Sequence, residues 1–248
     1  MAKYDLSLIS TEAPVDVDKD TIKDRTDLIV EELSELQTLM YAESKKSLLI
    51  VLQGMDASGK DGAVRKVFSA VNPQGVRVYS FKKPTEEELR HDFLWRIHKQ
   101  TPEHGIIQIF NRSHYEDVLV TRVLGLIDEK TAQRRYEYIN AFERTLTGQN
   151  TIILKFYLHI SRKEQEERFQ ERMTDPTKYW KYNPEDAKTA KDWDKYMAIY
   201  PEVFEKCSSD IPWTIVPADN KWYRDFLISN KIVETLKSLK MKYPELRK

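Results

Sequence analysis

The chain has 248 residues, 40% of them hydrophobic, with 40 Lys+Arg against 40 Asp+Glu. That is enough for one large globular core, and zero net charge leaves no global field to draw nucleic acid or anionic lipid, so any anion must be recognised locally. The longest aliphatic run, Leu48–Leu52, is far shorter than the ~20 apolar residues of a membrane span, and no signal-peptide hydrophobic region opens the sequence; a cytoplasmic protein without a membrane or nucleic-acid partner is expected. The single cysteine, Cys207, cannot form an intramolecular disulfide and reads as a small core residue.

Residues 1 to about 20 carry Pro14, Asp16, Asp18 and Asp20 without apolar periodicity, which predicts an extended or poorly ordered arm able to pack onto a partner. From about Asp20 to Lys45, Ile29, Leu33, Leu36 and Met40 recur at i, i+4, i+7 and i+11, one face of a helix. Short apolar runs then follow at Ser47–Gln53, Val76–Phe81, Ile106–Phe110, Thr151–Ile160 and Trp213–Val216, most of them separated by segments long enough for crossover helices. Without period-2 polarity, these runs read as parallel strands buried on both faces. No repeat or flexible linker divides the chain, so residues 1–248 read as a single domain with an arm and helix over about 1–46. Between His159 and Trp213 lies an insertion without strand character: Ser161–Met173, opened by a Ser161-x-x-Glu164 capping box, then Thr174–Asn183, then a helix from about Glu185 to Lys206. Such a hairpin at a sheet edge, about 161–206, is a candidate lid.

The strongest chemical signal is Gly54-Met55-Asp56-Ala57-Ser58-Gly59-Lys60-Asp61-Gly62, directly after a strand and before helically spaced Val64, Val67, Phe68 and Val71. Strand, glycine-rich loop and helix make a phosphate cradle: the loop's amide N–H groups turn inward, the helix N-terminus adds partial positive charge, and Lys60 supplies a mobile cation. Two positions depart from an ordinary nucleoside-triphosphate loop. Asp61 stands where a Ser or Thr usually ligates Mg²⁺, and Asp56 lies inside the loop. A carboxylate ~4 Å from a phosphate charge is repelled by about 4 kcal/mol at an effective dielectric near 20, so Asp56 is expected to face a metal ion that turns repulsion into ligation. At the end of the third strand, where an Asp normally holds the magnesium shell, the chain reads Asn111-Arg112-Ser113-His114-Tyr115-Glu116-Asp117. Asn111 cannot carry that charge; Glu116 and Asp117 are the nearest carboxylates that could, and Arg112 is placed to bind phosphate or stabilise the transferring group.

Supporting cations follow. From Lys60 to Lys99 basic residues outnumber acidic ones, and Lys82 and Lys83, just past the second strand, fall at the ligand edge, while Arg65 and Lys66 suit a solvated helix face. Arg168 and Arg172 share a face of the first lid helix and could close over phosphates or pair with Glu164 and Glu171. Trp180, Tyr182, Trp193, Tyr196 and Tyr200 are expected to fill a lid core rather than stack on a base. No histidine has zinc-ligand spacing, so no structural zinc is expected.

Together, G-M-D-A-S-G-K-D-G (54–62), F-K-K-P-T (81–85), H-D-F-L-W-R (91–96), F-N-R-S-H-Y-E-D-V (110–118) and P-W-T-I-V-P-A-D-N-K-W (212–222) resemble the polyphosphate kinase 2 family. The resemblance implies an α/β P-loop kinase fold of the thymidylate-kinase type, a three-layer sandwich with a five-stranded parallel sheet and a helical lid. It implies reversible phosphoryl transfer between inorganic polyphosphate and nucleotides, with Mg²⁺ (Mn²⁺ able to substitute), by a homo-oligomer, dimer or tetramer. The third-strand motif is similar to the subgroup that phosphorylates AMP as well as ADP, giving ADP and ATP. By motif position, Asp56 would ligate the metal and help orient the acceptor phosphate, Lys60 would neutralise transferring phosphates, Arg112 would stabilise transition-state charge, and Asp117 would take the metal role vacated at Asn111. Glu116, where other members carry Asn, would influence acceptor choice. Polyphosphate contacts are then expected from Gly54, the run Ala57, Ser58, Gly59, Lys60, Asp61 and Gly62, and from Lys82, Arg168 and Arg172; nucleotide contacts from Asp56, Lys82, Arg112, Glu116 and Arg122. The competing readings are an ATP-dependent nucleoside or nucleotide kinase of the same fold and a non-catalytic polyphosphate-binding module.

Overall fold

A computed structural model describes residues 4–183 and 190–246. In chain order the elements are α1 (Lys19–Glu43), β1 (Ser47–Gln53), α2 (Lys60–Val67), β2 (Val76–Ser80), α3 (Trp95–His98), β3 (Ile107–Asn111), α4 (Val120–Val123), α5 (Glu129–Thr147), β4 (Thr151–His159), α6 (Arg162–Thr174), α7 (Trp193–Lys206), β5 (Trp213–Pro217) and α8 (Lys221–Ser238). The five strands form one parallel sheet in the order β2-β3-β1-β4-β5. β1 is central: Leu48 lies beside Ile107 on one side and Ile152 on the other. Every residue of β1 and β3 is buried, as continuous apolar runs require. β2 departs from that expectation. It is an edge strand whose side chains are half-buried or exposed, because only one neighbour and partial cover shield it.

Helices cover the sheet as a three-layer sandwich of the P-loop kinase type, α1 and α2 packing on α8, and α5 packing on β4. Asp18 caps α1 by accepting from the Thr21 N–H at 2.8 Å, and Ile29, Leu33 and Met40 are buried with Leu36 partly so. The arm is ordered from Tyr4 onward against its own domain. Leu6 is buried, its carbonyl accepting from His159 at 3.2 Å, and Thr11 Oγ1 and the Ala13 N–H reach Asp219 and Asn220 at 2.7 and 2.8 Å. Hydrogen bonding to the β5–α8 turn thus replaces the periodicity that the arm lacks.

The lid insertion divides. α6 begins at its Ser161 cap, whose Oγ accepts from the Glu164 N–H at 3.1 Å. α7 buries Trp193, Tyr196 and Tyr200 in the main core, whereas Trp180 and Tyr182 are exposed, so the five aromatics do not form one lid core. The predicted stretch 185–189 of that second helix lies outside the described residues.

β1 is also where the sheet's connectivity switches direction, with β3 and β2 on one side and β4 and β5 on the other. Ligands of open parallel sheets collect at the carboxyl ends of strands at such a point, and the glycine-rich loop begins there.

Candidate active site

Past Gln53 the chain bends sharply. A Cβ on Gly54 would come 2.8 Å from both the Leu158 carbonyl and Ser58 Oγ, so only glycine fits. Ala57 (φ 61°) and Gly59 (φ 96°) both take left-handed conformations, the kind of step that turns successive amides to one side of a loop. Lys60 opens α2 and curls back over the loop, its Nζ donating to the carbonyls of Gly54 (2.8 Å) and Met55 (3.1 Å) and to Ser58 Oγ (3.3 Å). All three acceptors are uncharged. Burial, with Arg112 adding repulsion, pushes the ammonium down to about 8 against the pull of Asp56, Glu116 and Asp61.

The segment after β3 supplies the opposite wall. Arg112 also sits in the left-handed region (φ 62°), strained for an arginine, and its Nη2 meets Asp56 Oδ1 at 2.6 Å. Burial pulls its guanidinium down, but Glu116 and Asp56 outweigh it and hold it up. Glu116 is half-buried beside Lys60 and Arg112; burial raises its pKa against both cations and the Gln53 amide. Asn111 donates to Asp61, so the two departures from an ordinary loop are partners: the acid missing from the end of β3 stands across the cleft, after Lys60, and the amide in its place holds it.

Asp117 lies elsewhere. It is buried between Arg96 and Arg135, each 3.8 Å away, and Oδ2 accepts no hydrogen bond. Burial pushes it up to about 6 despite those arginines, with Glu116 and Glu88 adding repulsion. The structure therefore brings Asp56, Lys60, Asp61, Arg112 and Glu116 together, while the nearest cations of Asp117 are Arg96 and Arg135.

Three other expected contacts are engaged inside the protein. Arg168 is buried, bonded to Glu164 Oε1 at 2.7 Å and to the carbonyls of Ala57, Ala218 and Asp219 at 2.8, 2.7 and 3.1 Å. It braces the loop and the β5–α8 turn together, and Gln165 assists by donating to the Asp56 carbonyl at 2.9 Å. Arg172, a turn on, lies over the Phe169 ring at 5.3 Å, while its predicted partner Glu171 pairs with Lys178. Arg122 joins Glu202, Glu129 and the Tyr136 hydroxyl at 2.7, 2.8 and 2.7 Å, fastening α4 to α5 and α7. Lys82 is exposed past β2, its carbonyl taking Arg96 Nη1 at 2.8 Å.

Tyr196 and Tyr200, expected as core aromatics, also border the site, where burial and the nearby Glu116 and Asp56 carboxylates keep their hydroxyls protonated; sequence reasoning missed Arg224, which overlies the loop from α8. The phenols gave no motif; Arg224 follows the quoted P-A-D-N-K-W run by two residues.

Under the 111–117 segment lies a buried polar cluster. Lys155 Nζ donates to Glu143 Oε2 (2.7 Å), the Tyr115 hydroxyl (2.9 Å) and the Cys207 carbonyl (2.6 Å), and Glu143 Oε1 accepts from Tyr115 (2.8 Å) and pairs with His114 (3.1 Å). Burial pushes the Cys207 thiol up to about 12, in keeping with a core residue.

Hard oxygen donors and a phosphate loop fit Mg²⁺. Among the described residues no three or more His, Cys, Asp or Glu side chains are gathered into a cage. A Mg²⁺ ion held mainly by one or two carboxylates, substrate phosphates and water needs no such cage, and Asp56 in the loop is a carboxylate that could serve it.

The chain matches known proteins along nearly its whole length. The family model described as Polyphosphate kinase 2 (PPK2) matches residues 16–244. The chain is 50% identical over 214 residues, 86% of its length and 80% of the other's, to a Meiothermus ruber protein named AMP/ADP-polyphosphate phosphotransferase. It is 44% identical over 229 residues, 87% of its length and 79% of the other's, to the ADP-polyphosphate phosphotransferase of Rhodopseudomonas palustris. A crystal structure of polyphosphate kinase 2 from Arthrobacter aurescens TC1 superposes with a TM-score of 0.96 at 41% identity, over 100% of this chain and 90% of that one. A glycine-rich loop built like a phosphate cradle, the third-strand segment facing it and matches along nearly the whole chain lead to one assignment: this protein is a member of the polyphosphate kinase 2 family.

Proposed function

We propose that the protein transfers the terminal phosphate of inorganic polyphosphate to AMP and to ADP, reversibly and with Mg²⁺, giving ADP and ATP. The observation that carries this is the grouping of Lys60, Arg112, Asp56 and Glu116 around the phosphate loop, in a chain half identical to an AMP/ADP-polyphosphate phosphotransferase. Phosphoryl transfer needs positioning and charge stabilisation rather than a covalent nucleophile, and this site offers amides, a lysine, arginines and carboxylates. Lys60 would exchange its carbonyl partners for phosphate oxygens. Arg112 would leave Asp56 for the transferring group, which frees Asp56 for the metal, whose chemistry is to neutralise charge between the phosphates. Asp117 would have to turn from Arg96 and Arg135 to join that metal site, and Glu116 would face the acceptor phosphates.

The decisive assay supplies AMP, Mg²⁺ and long-chain polyphosphate and follows ADP and ATP. Formation of both supports the reading; transfer from ATP alone would overturn it. Asp56→Asn and Asp117→Asn should each abolish transfer with the fold retained by circular dichroism, and near-native turnover in both would remove the metal assignment. Glu116→Asn should alter the AMP-to-ADP preference more than the donor KM.

The same reading includes a cytoplasmic homo-oligomer, dimer or tetramer. Its support is the family resemblance, and light scattering after gel filtration tests the oligomer. No helix among the described residues is long and apolar enough to cross a membrane.

A further inference from the structure

Gly59 is overlain by two guanidinium groups. A Cβ at this position would collide with Nη1 of Arg224 and stand 3.3 Å from Nη1 of Arg168, and one on Gly62 would stand 3.4 Å from Nη2 of Arg224. The glycine is therefore needed twice over, for its left-handed φ and for the close approach of an arginine. Arg224 stands in the first turn of α8 and is 2% exposed. Its Nε and Nη2 donate to Oδ1 of Asp225 at 2.9 and 2.7 Å. A guanidinium has five N–H donors, so three, both of those on Nη1 included, have no acceptor among the described residues. Arg168, by contrast, makes four hydrogen bonds to protein oxygens and keeps one donor on Nη1.

Burying two guanidinium groups close together is unfavourable unless acceptors satisfy them. Each has one carboxylate, Glu164 for Arg168 and Asp225 for Arg224. The unused donors lie against the loop, and burial and Arg168 both act to weaken the hold of Arg224 on its proton. Sheet order says which end of the reaction this serves. Arg112 and Glu116 follow β3, on one side of β1, whereas Arg168 and Arg224 follow β4 and β5, on the other. Lys60 stands between them at the end of the loop. With the acceptor facing Glu116 on the β3 side, as proposed above, a phosphate chain seated on Lys60 would continue toward the β4–β5 side, over Gly59.

We propose that Arg224, through Nη1, binds the donor chain on the Gly59 side of the phosphate held by Lys60, with Arg168 as the brace fixing the loop beneath it. This rests on the polyphosphate reading above and adds to it the residue that sets donor affinity. A planar guanidinium with adjacent free N–H groups matches phosphate oxygens in a way an ammonium cannot.

The test compares Asp225→Asn, Arg224→Gln and the double variant Arg224→Gln/Asp225→Asn, the last leaving no unpaired buried charge. Each is measured for donor KM, AMP KM and, without turnover, tripolyphosphate affinity by calorimetry. Both variants lacking Arg224 should raise the donor KM and weaken tripolyphosphate binding about tenfold or more, with the AMP KM within about twofold. Asp225→Asn alone should leave donor affinity unchanged or improved. The proposal is overturned by a folded double variant with native tripolyphosphate affinity, or by an Asp225→Asn variant that reproduces the loss, since Arg224 would then act only through the fold. If the native protein binds tripolyphosphate but passes no phosphate to AMP, the functional reading fails, and the binding arms still decide the role of Arg224.

Discussion

Two groups of charges lie within the same few strands and are organised in opposite ways. In the cluster under the 111–117 segment, Lys155, Glu143, Tyr115 and His114 bond chiefly to one another, and Lys155 reaches three acceptors from a position with 1% exposure. In the phosphate loop, Lys60 is nearly as buried yet bonds only to uncharged oxygens, Arg112 shares a single carboxylate, and Arg224 keeps three donors in reserve. Buried ions satisfied by each other hold structure, whereas buried ions left with unused capacity await a ligand. The backbone repeats the contrast: Ala57 and Arg112, the two non-glycine left-handed residues of the site, belong to the second group.

This contrast can be broken most forcefully at Lys155. Lys155→Met should cost about 3–5 kcal/mol of stability in urea titration, because Glu143 is left as an uncompensated buried charge, and adding Glu143→Gln should recover much of it. A loss under about 1 kcal/mol would show that the cluster is not what secures the segment. At Lys60 the loss should appear in function instead. Lys60→Met should lower kcat/KM by about 10²–10³ with the fold retained.

Acidity sharpens the same difference. With Lys60 held near 8, its charge and so polyphosphate affinity should fall as pH rises through that value. Stability should move the other way. Between about 8 and the ordinary lysine value of 10.5 the unfolded chain binds the proton that the folded protein has released, so native stability relative to Lys60→Met rises with pH across that window. Parallel movement of affinity and stability would contradict the assignment of Lys60 as a ligand-directed cation. The smallest effect is expected at the lid: Ser161→Ala removes the cap of α6 and should cost about 1 kcal/mol, seen as a modest drop in melting temperature.

Much of this was legible in the residues. Five apolar runs separated by crossovers specify a parallel sheet, the fully buried β1 and β3 being unable to tolerate alternating polarity, and a glycine-rich turn before Lys60 specifies a phosphate loop. What local pattern could not supply were the pairings across the fold. Asn111 and Asp61 looked like two separate departures until the sheet placed them opposite each other, and the protein acceptors of Arg122 and Arg168, on elements distant in the chain, had no local signal. The arm lacked periodicity because its order comes from hydrogen bonds to the β5–α8 turn, made across a sequence separation that no window spans.

The sequence by itself determined the sheet and the glycine-rich loop at its centre, since these follow from neighbours a few residues apart. Only the tertiary structure decided which charges are already neutralised and which remain available. Ion pairing depends on distances of a few ångströms between groups far apart in the chain, and at Gly59 that distance put Arg224 where no motif had pointed.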